Sequence, residues 1–121
     1  EVVPEIDGGE KGEEFQCAIA FERTNEVKHW LRNISRHPAS FRLPLAQGWT
    51  YPDFVAELTD GRLVIVEYKG AHLLNDPETK EKKLIGELWE KQMNGKGIYI
   101  MAVKDLNGKN VYEQLTDRIG N

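Results

Sequence analysis

"TYPDFVAELTDGRLVIVEYKG", residues 50–70, places two β-rich runs on either side of Thr59-Asp60-Gly61. Val, Ile, Tyr and Phe at this density, broken by an Asp-Gly pair, predict a β-hairpin. The second run begins as the most apolar stretch of the chain and ends in charge. Glu67 and Lys69 are two apart, so on a strand they share a face with Leu63 and Ile65. Loop length decides whether Asp53 joins them. A two-residue loop, Asp60-Gly61, sets Asp53 opposite Tyr68 and Glu67 opposite Phe54, leaving the two carboxylates on opposite faces. A three-residue loop, Thr59-Asp60-Gly61, is a type I turn closed by a left-handed glycine and a G1 bulge. It sets Asp53 across from Glu67, with Lys69 on the same face. A one-residue slip thus makes or removes a site, and we expect the bulged register.

Two neighbouring carboxylates beside a lysine are costly unless a cation sits between them, because like charges repel and raise one pKa. Oxygen-only ligands favour Mg²⁺, which retains waters and takes phosphate oxygens. Such an ion suits phosphodiester hydrolysis, and Lys69 is placed to orient water or stabilise developing charge. Each residue also has an ordinary role, Asp53 as a strand start and Glu67–Lys69 as a surface ion pair of little energy. Together on one face they favour function.

Outward from the hairpin, Phe15, Ala18, Ile19 and Glu22 recur at helical spacing over Glu13 to Arg23. Val27, Trp30, Leu31 and Ile34 predict a second helix over Asn25 to Ser35, stopped by Pro38. "SFRLPLAQGW" alternates as an edge strand that tolerates Pro44. Residues 77–93 are helical, with Leu84, Ile85, Leu88, Trp89 and Met93 on one stripe that Gln92 shares. "GIYIMAV" is a strand, "KDLNGKN" a turn, and Val111 to Ile119 a last helix. The expected order is αα-βββ-α-β-α: an α/β (α+β) chain with a central mixed sheet flanked by helices on both faces. Residues 1–12 read as a flexible lead-in and 13–121 as one domain.

The formal net charge of −4 argues mildly against nucleic acid, but charge is segregated. Residues 1–22 hold seven acids against Lys11, whereas residues 23–42 hold five bases against Glu26. That basic segment suits phosphates or a solvated face equally. No apolar run approaches membrane-spanning length and no signal-peptide pattern is present, so a cytoplasmic, non-membrane protein is expected. The single cysteine, Cys17, suits a reducing compartment. His29, His37 and His72 lack zinc-ligand spacing with Cys17.

Pro52-Asp53, a hairpin, then Glu67-Tyr68-Lys69 resembles the signature of the PD-(D/E)XK nucleases. "VKHWLRN", residues 50–70 and "KEKKLIGELWEKQMNGKGIYIMAV" extend the likeness to the C-terminal endonuclease domain of type III restriction enzymes, over about residues 13 to 117. The resemblance implies a restriction-endonuclease-like core and Mg²⁺-dependent cleavage of double-stranded DNA, with Mn²⁺ as a substitute. It implies Asp53, Glu67 and the Tyr68 backbone carbonyl as metal ligands and Lys69 as the catalytic lysine. A first-helix glutamate is also implied: Glu14 fits the spacing before Cys17-Ala18, and Glu22 competes from the apolar stripe. Arg32, Lys80 and Lys83 are candidate phosphate contacts, although helix-surface solubility is the favoured role of Lys80 and Lys83. The implied partners are the rest of a larger restriction enzyme, a helicase-like motor and a modification subunit, and a second nuclease domain for double-strand cleavage. The start at Glu1 accords with a piece of such a chain, and no GxxxxGK[ST] loop is present. The alternatives are a catalytically inactive nuclease-like domain that binds nucleic acid, or a repair or RNA nuclease of the same fold.

Overall fold

The computed structural model describes residues 10–33 and 41–120. In chain order the elements are α1 (Glu10–Arg23), β1 (Val27–Arg32), β2 (Leu43–Pro44), β3 (Trp49–Thr50), β4 (Phe54–Leu58), β5 (Leu63–Tyr68), α2 (Pro77–Gln92), β6 (Gly97–Ala102) and α3 (Val111–Ile119). A short 3₁₀ turn, Ala71–Leu73, precedes α2. Four strands form a mixed sheet in the order β1-β4-β5-β6, antiparallel except for the β5–β6 pair. The parallel pair is joined through α2, as a parallel connection requires. Among the described residues no helix is long and apolar enough to cross a membrane.

The hairpin has the bulged register. Phe54 pairs with Val66, Val55 with Ile65, Ala56 with Val64 and Glu57 with Leu63. Gly61 N–H donates to Leu58 C=O at 2.9 Å, Leu58 N–H donates to Arg62 C=O at 2.8 Å, and Gly61 has φ +93°. Asp60 fastens the turn by accepting from Arg62 N–H at 3.0 Å and Arg62 Nε at 2.8 Å. Among the described residues none crowds a Cβ built on Gly61, so Gly61→Ala is a test of backbone strain. It should cost about 1–2 kcal/mol in urea denaturation, the penalty of a left-handed non-glycine residue.

Every β5 residue from Val64 to Tyr68 is buried, as befits a central strand covered on both faces. One face holds Phe54, Ala56, Leu58, Val64, Val66, Tyr68, Ile98 and Ile100 beneath α1 and α3. Phe21, Trp30 and Phe54 meet there with ring centroids 5.7 to 6.0 Å apart. Such pairs contribute about 0.5–1.5 kcal/mol each beyond burial. The opposite face gathers Leu43, Ile65 and Tyr99 beneath α2, with Phe41, Val55, Ile85, Trp89 and Met101 packed around them.

Three expectations need correction. The predicted second helix is strand β1, and residues 34 and 35 lie outside the described residues. A bulge at Lys28 explains the misreading: Val27 pairs with Leu58 and His29 with Glu57, so one residue is extra. Val27 and Trp30 therefore face the same core three positions apart, which imitates a helical period, while Leu31 is 52% exposed. The predicted strand at 40–49 shrinks to β2, paired with β3 in a separate two-stranded ribbon. Pro44 lies in it, and β1 is the strand that completes the main sheet. On α2, Leu84 and Leu88 are exposed, at 67% and 50%, and Gln92 is also exposed, while Gly86 is buried. A Cβ on Gly86 would stand 2.4 Å from Tyr99 ring carbons. The ring thus needs a glycine beneath it, and this turns the helix away from the expected stripe.

Candidate active site

Alternation along β5 dictates where its charged end points. Lys69 N–H donates to Ala102 C=O at 2.9 Å, toward β6, whereas Tyr68 N–H donates to Asp53 Oδ2 at 2.7 Å, toward β4. The hairpin register, carried one step beyond Phe54–Val66, sets Asp53 across from Glu67. Asp53 is thereby tied to β5 by its side chain. Its backbone is tied as well, because Asn33 N–H donates to Asp53 C=O at 2.8 Å. Asn33 Nδ2 also donates to Pro52 C=O and Phe41 C=O, at 2.9 and 2.8 Å, and its Oδ1 accepts from Phe41 N–H at 3.0 Å. Sequence reasoning did not single out Asn33 for this work. One amide side chain saturates three backbone groups and holds the Pro52-Asp53 approach to the sheet.

Glu67 is 5% exposed. Burying a carboxylate is costly without a compensating charge. Lys69 Nζ supplies one at 3.5 Å from Glu67 Oε2, and it is itself largely covered. Asp53, Glu67 and Lys69 therefore converge at the end of β5, together with the Tyr68 backbone. The donors there are carboxylate and carbonyl oxygens, which is the chemistry Mg²⁺ takes. Among the described residues no three His, Cys, Asp or Glu side chains form a ready metal cluster. The described residues offer two carboxylates and a backbone carbonyl at this place.

The other candidates separate. Glu14 lies in α1, but its side chain falls outside the described residues. Glu22 is exposed and accepts a hydrogen bond from the Trp30 indole N–H, on the α1 side of the sheet. Its place in the sequence stripe is explained by anchoring Trp30, not by proximity to Glu67. Arg32 pairs with Phe54, so the register puts it on the face opposite Asp53 and Glu67. Lys80 is exposed in the first turn of α2, and Lys83 is exposed at a cavity beside β6.

Two residues near the carboxylates carried no sequence signal. Tyr99 pairs with Ile65 and so occupies the Glu67 face one strand over. Burial, then the charges of Glu67, Asp53 and Glu87, push its hydroxyl pKa above the ordinary 10.0. Glu87, on α2, is therefore part of the same electrostatic neighbourhood. The raised pKa means that native Tyr99 keeps a proton that the unfolded chain releases. Stability from this group is intact below pH 10 and declines as pH rises above it. Tyr99→Phe should therefore shift alkaline unfolding to higher pH. In the parent protein Tyr99 should give its tyrosinate absorbance only on unfolding. Identical alkaline transitions for both proteins would refute this environment.

No family model, characterised protein or solved structure matches this chain.

Proposed function

We propose that the protein is a metal-dependent endonuclease domain of restriction-endonuclease-like fold that hydrolyses DNA phosphodiester bonds. The observation that carries this reading is the bulged register of the hairpin, which sets Asp53 across from Glu67 with Lys69 on their face. A surface ion pair would not need a second carboxylate aimed at it or a glutamate this buried. Asp53, Glu67 and the Tyr68 carbonyl would hold Mg²⁺, or Mn²⁺ in its place, with Glu14 as the helix ligand. When bound, the ion would supply an acidified water and screen the charge that grows on the phosphorus centre. Tyr68 N–H fixes the Asp53 carboxylate against rotation. Lys69 balances Glu67 in the resting site and turns its ammonium toward the incoming phosphate or the attacking water.

On this reading the domain works inside a larger restriction enzyme, beside a helicase-like motor and a modification subunit. Double-strand cleavage pairs two such domains, each cutting one strand. The test is nicking of supercoiled plasmid by the purified protein with Mg²⁺ or Mn²⁺ against the same reaction in excess chelator. Metal-dependent nicking that an Asp53→Ala variant lacks supports the proposal. Equal nicking by both proteins, or nicking undiminished by chelator, overturns the site. Plasmid binding without any cleavage selects the inactive binding module instead. Faster cleavage of RNA or branched DNA in the same assay selects the repair or RNA nuclease.

A further inference from the structure

Among the described residues strand β6 is an edge of the sheet, so alternate residues turn their N–H and C=O groups away from β5. Ala102 points inward, where its carbonyl accepts from Lys69 N–H. Tyr99, Met101 and Val103 therefore point outward. Tyr99 is capped: its N–H donates to Glu90 Oε1 and its C=O accepts from Arg118 Nη1, both at 2.8 Å. The cap is itself locked, because Arg118 Nη2 donates to both Glu90 carboxylate oxygens at 2.8 and 2.6 Å. Val103 is capped by one side chain. Its N–H donates to Gln114 Oε1 at 3.1 Å, and its C=O accepts from Gln114 Nε2 at 2.7 Å.

Met101 lies between these caps, and among the described residues no group bonds its outward N–H or C=O. It lines a cavity of about 410 Å³ between α2, β6 and α3, with Lys83 and Glu87 on one wall and Asn107 and Asp117 on the other. That volume suits a small molecule. The lip is a tight turn in which Leu106 and Lys109 exchange backbone hydrogen bonds across Asn107-Gly108, both with positive φ. The caps on Tyr99 and Val103 exclude a continuous added strand. What fits is one planar unit that offers an acceptor and a donor side by side. Nucleobase edges have that pattern.

Met101 is also the register partner of Glu67, so the backbone that lines the cavity lies one strand over from that of Glu67, a spacing of roughly 5 Å. A nucleotide spans that distance. We propose that this cavity holds one unstacked nucleobase of the nucleic acid, read by Met101 N–H and C=O, while its phosphate lies toward Glu67. The choice of ligand rests on the nuclease reading. The protein would then favour a substrate with a base already free of its stack, at a nick, a branch or a single strand.

The experiment follows backbone amide shifts of the whole chain during titration with each of the four deoxynucleoside monophosphates, and with inorganic phosphate as control. At least one nucleotide should move the Met101 and Asn107 amides, and phosphate alone should not. Two variants test the cavity. Met101→Pro removes the outward N–H without breaking a bond to β5 and should weaken binding about tenfold. Leu106→Trp, changed at an exposed lining position, should block the cavity and retains a readout if the proline variant fails to fold. The proposal falls if no nucleotide moves these amides, or if Leu106→Trp binds as the parent does. If nucleotides bind here while Asp53→Asn still nicks plasmid, the nuclease site falls and the cavity stands. If nicking needs Asp53 but the cavity stays silent, the cavity alone falls.

Discussion

Asp53→Asn is expected to lower Mg²⁺-dependent plasmid nicking by at least about 100-fold, the scale of losing one preorganised electrostatic group. It should leave stability within about 1 kcal/mol of the parent, because the amide oxygen still accepts from Tyr68 N–H as a neutral hydrogen-bond partner. That contact is 2.7 Å in the native protein. Removing one of two facing carboxylates also relieves repulsion with Glu67. Asp53→Ala takes away the acceptor together with the charge, so Tyr68 N–H loses this bond in a buried place. That variant should lose activity equally and, in addition, about 1–3 kcal/mol of stability. The pair of substitutions separates charge from architecture, with nicking and urea denaturation as the two measurements. Parent-like nicking by Asp53→Asn would show that the carboxylate is there for the turn and not for chemistry.

Gly86→Ala should destabilise the fold by about 2–3 kcal/mol, against the usual sign for this change inside a helix. Alanine ordinarily gains about 1 kcal/mol over glycine there. Here the new Cβ would stand 2.4 Å from Cδ1 and Cε1 of Tyr99 and 2.5 Å from Cδ2, far inside the normal carbon–carbon separation of about 3.5–4.0 Å. The ring has nowhere to retreat. Tyr99 is 4% exposed, and its backbone is fixed by Glu90 and Arg118. The helix must move off the sheet instead, opening gaps beside Ile85 and Trp89, and overpacking strain of this kind costs a few kcal/mol. Gly86→Ala combined with Tyr99→Leu should recover part of the loss, a coupling that two independent sites would not have. A Gly86→Ala protein as stable as the parent in urea would refute the contact. The same contact links stability to the site, because it seats Tyr99 beside Glu67 and aligns Glu87 with the cavity.

The hairpin was legible because its information is local. Asp60-Gly61 sets the turn, Gly61 accepts the left-handed backbone, and alternation over a few residues on each side places every side chain. The charged end of β5 could therefore be assigned to one face before any tertiary contact was known. Strand β1 was misread for an equally physical reason. A bulge at Lys28 breaks the period of two, and the resulting spacing of Val27 and Trp30 matches a helix. The stripe on α2 misled because Leu84 and Leu88 are apolar without being buried, whereas the residue that touches the sheet is a glycine with no apolar signal. Glu22 shows the same limit. It lies in line with core residues because its carboxylate holds the indole of Trp30 on the following strand.

What the sequence by itself determined is the mixed α/β class, the hairpin with its bulged register, and the shared face of Asp53, Glu67 and Lys69. Only the tertiary structure decided that β1 borders β4, that α2 turns Gly86 inward, that Tyr99 and Glu87 share the electrostatic surroundings of the carboxylates, and that Met101 pairs with Glu67. Turn chemistry and strand alternation act between neighbours in the chain, so their outcome is written locally. The parallel pairing of β5 with β6 is chosen by how α2 packs back over the sheet, and no local pattern encodes which residue will then stand beside Glu67.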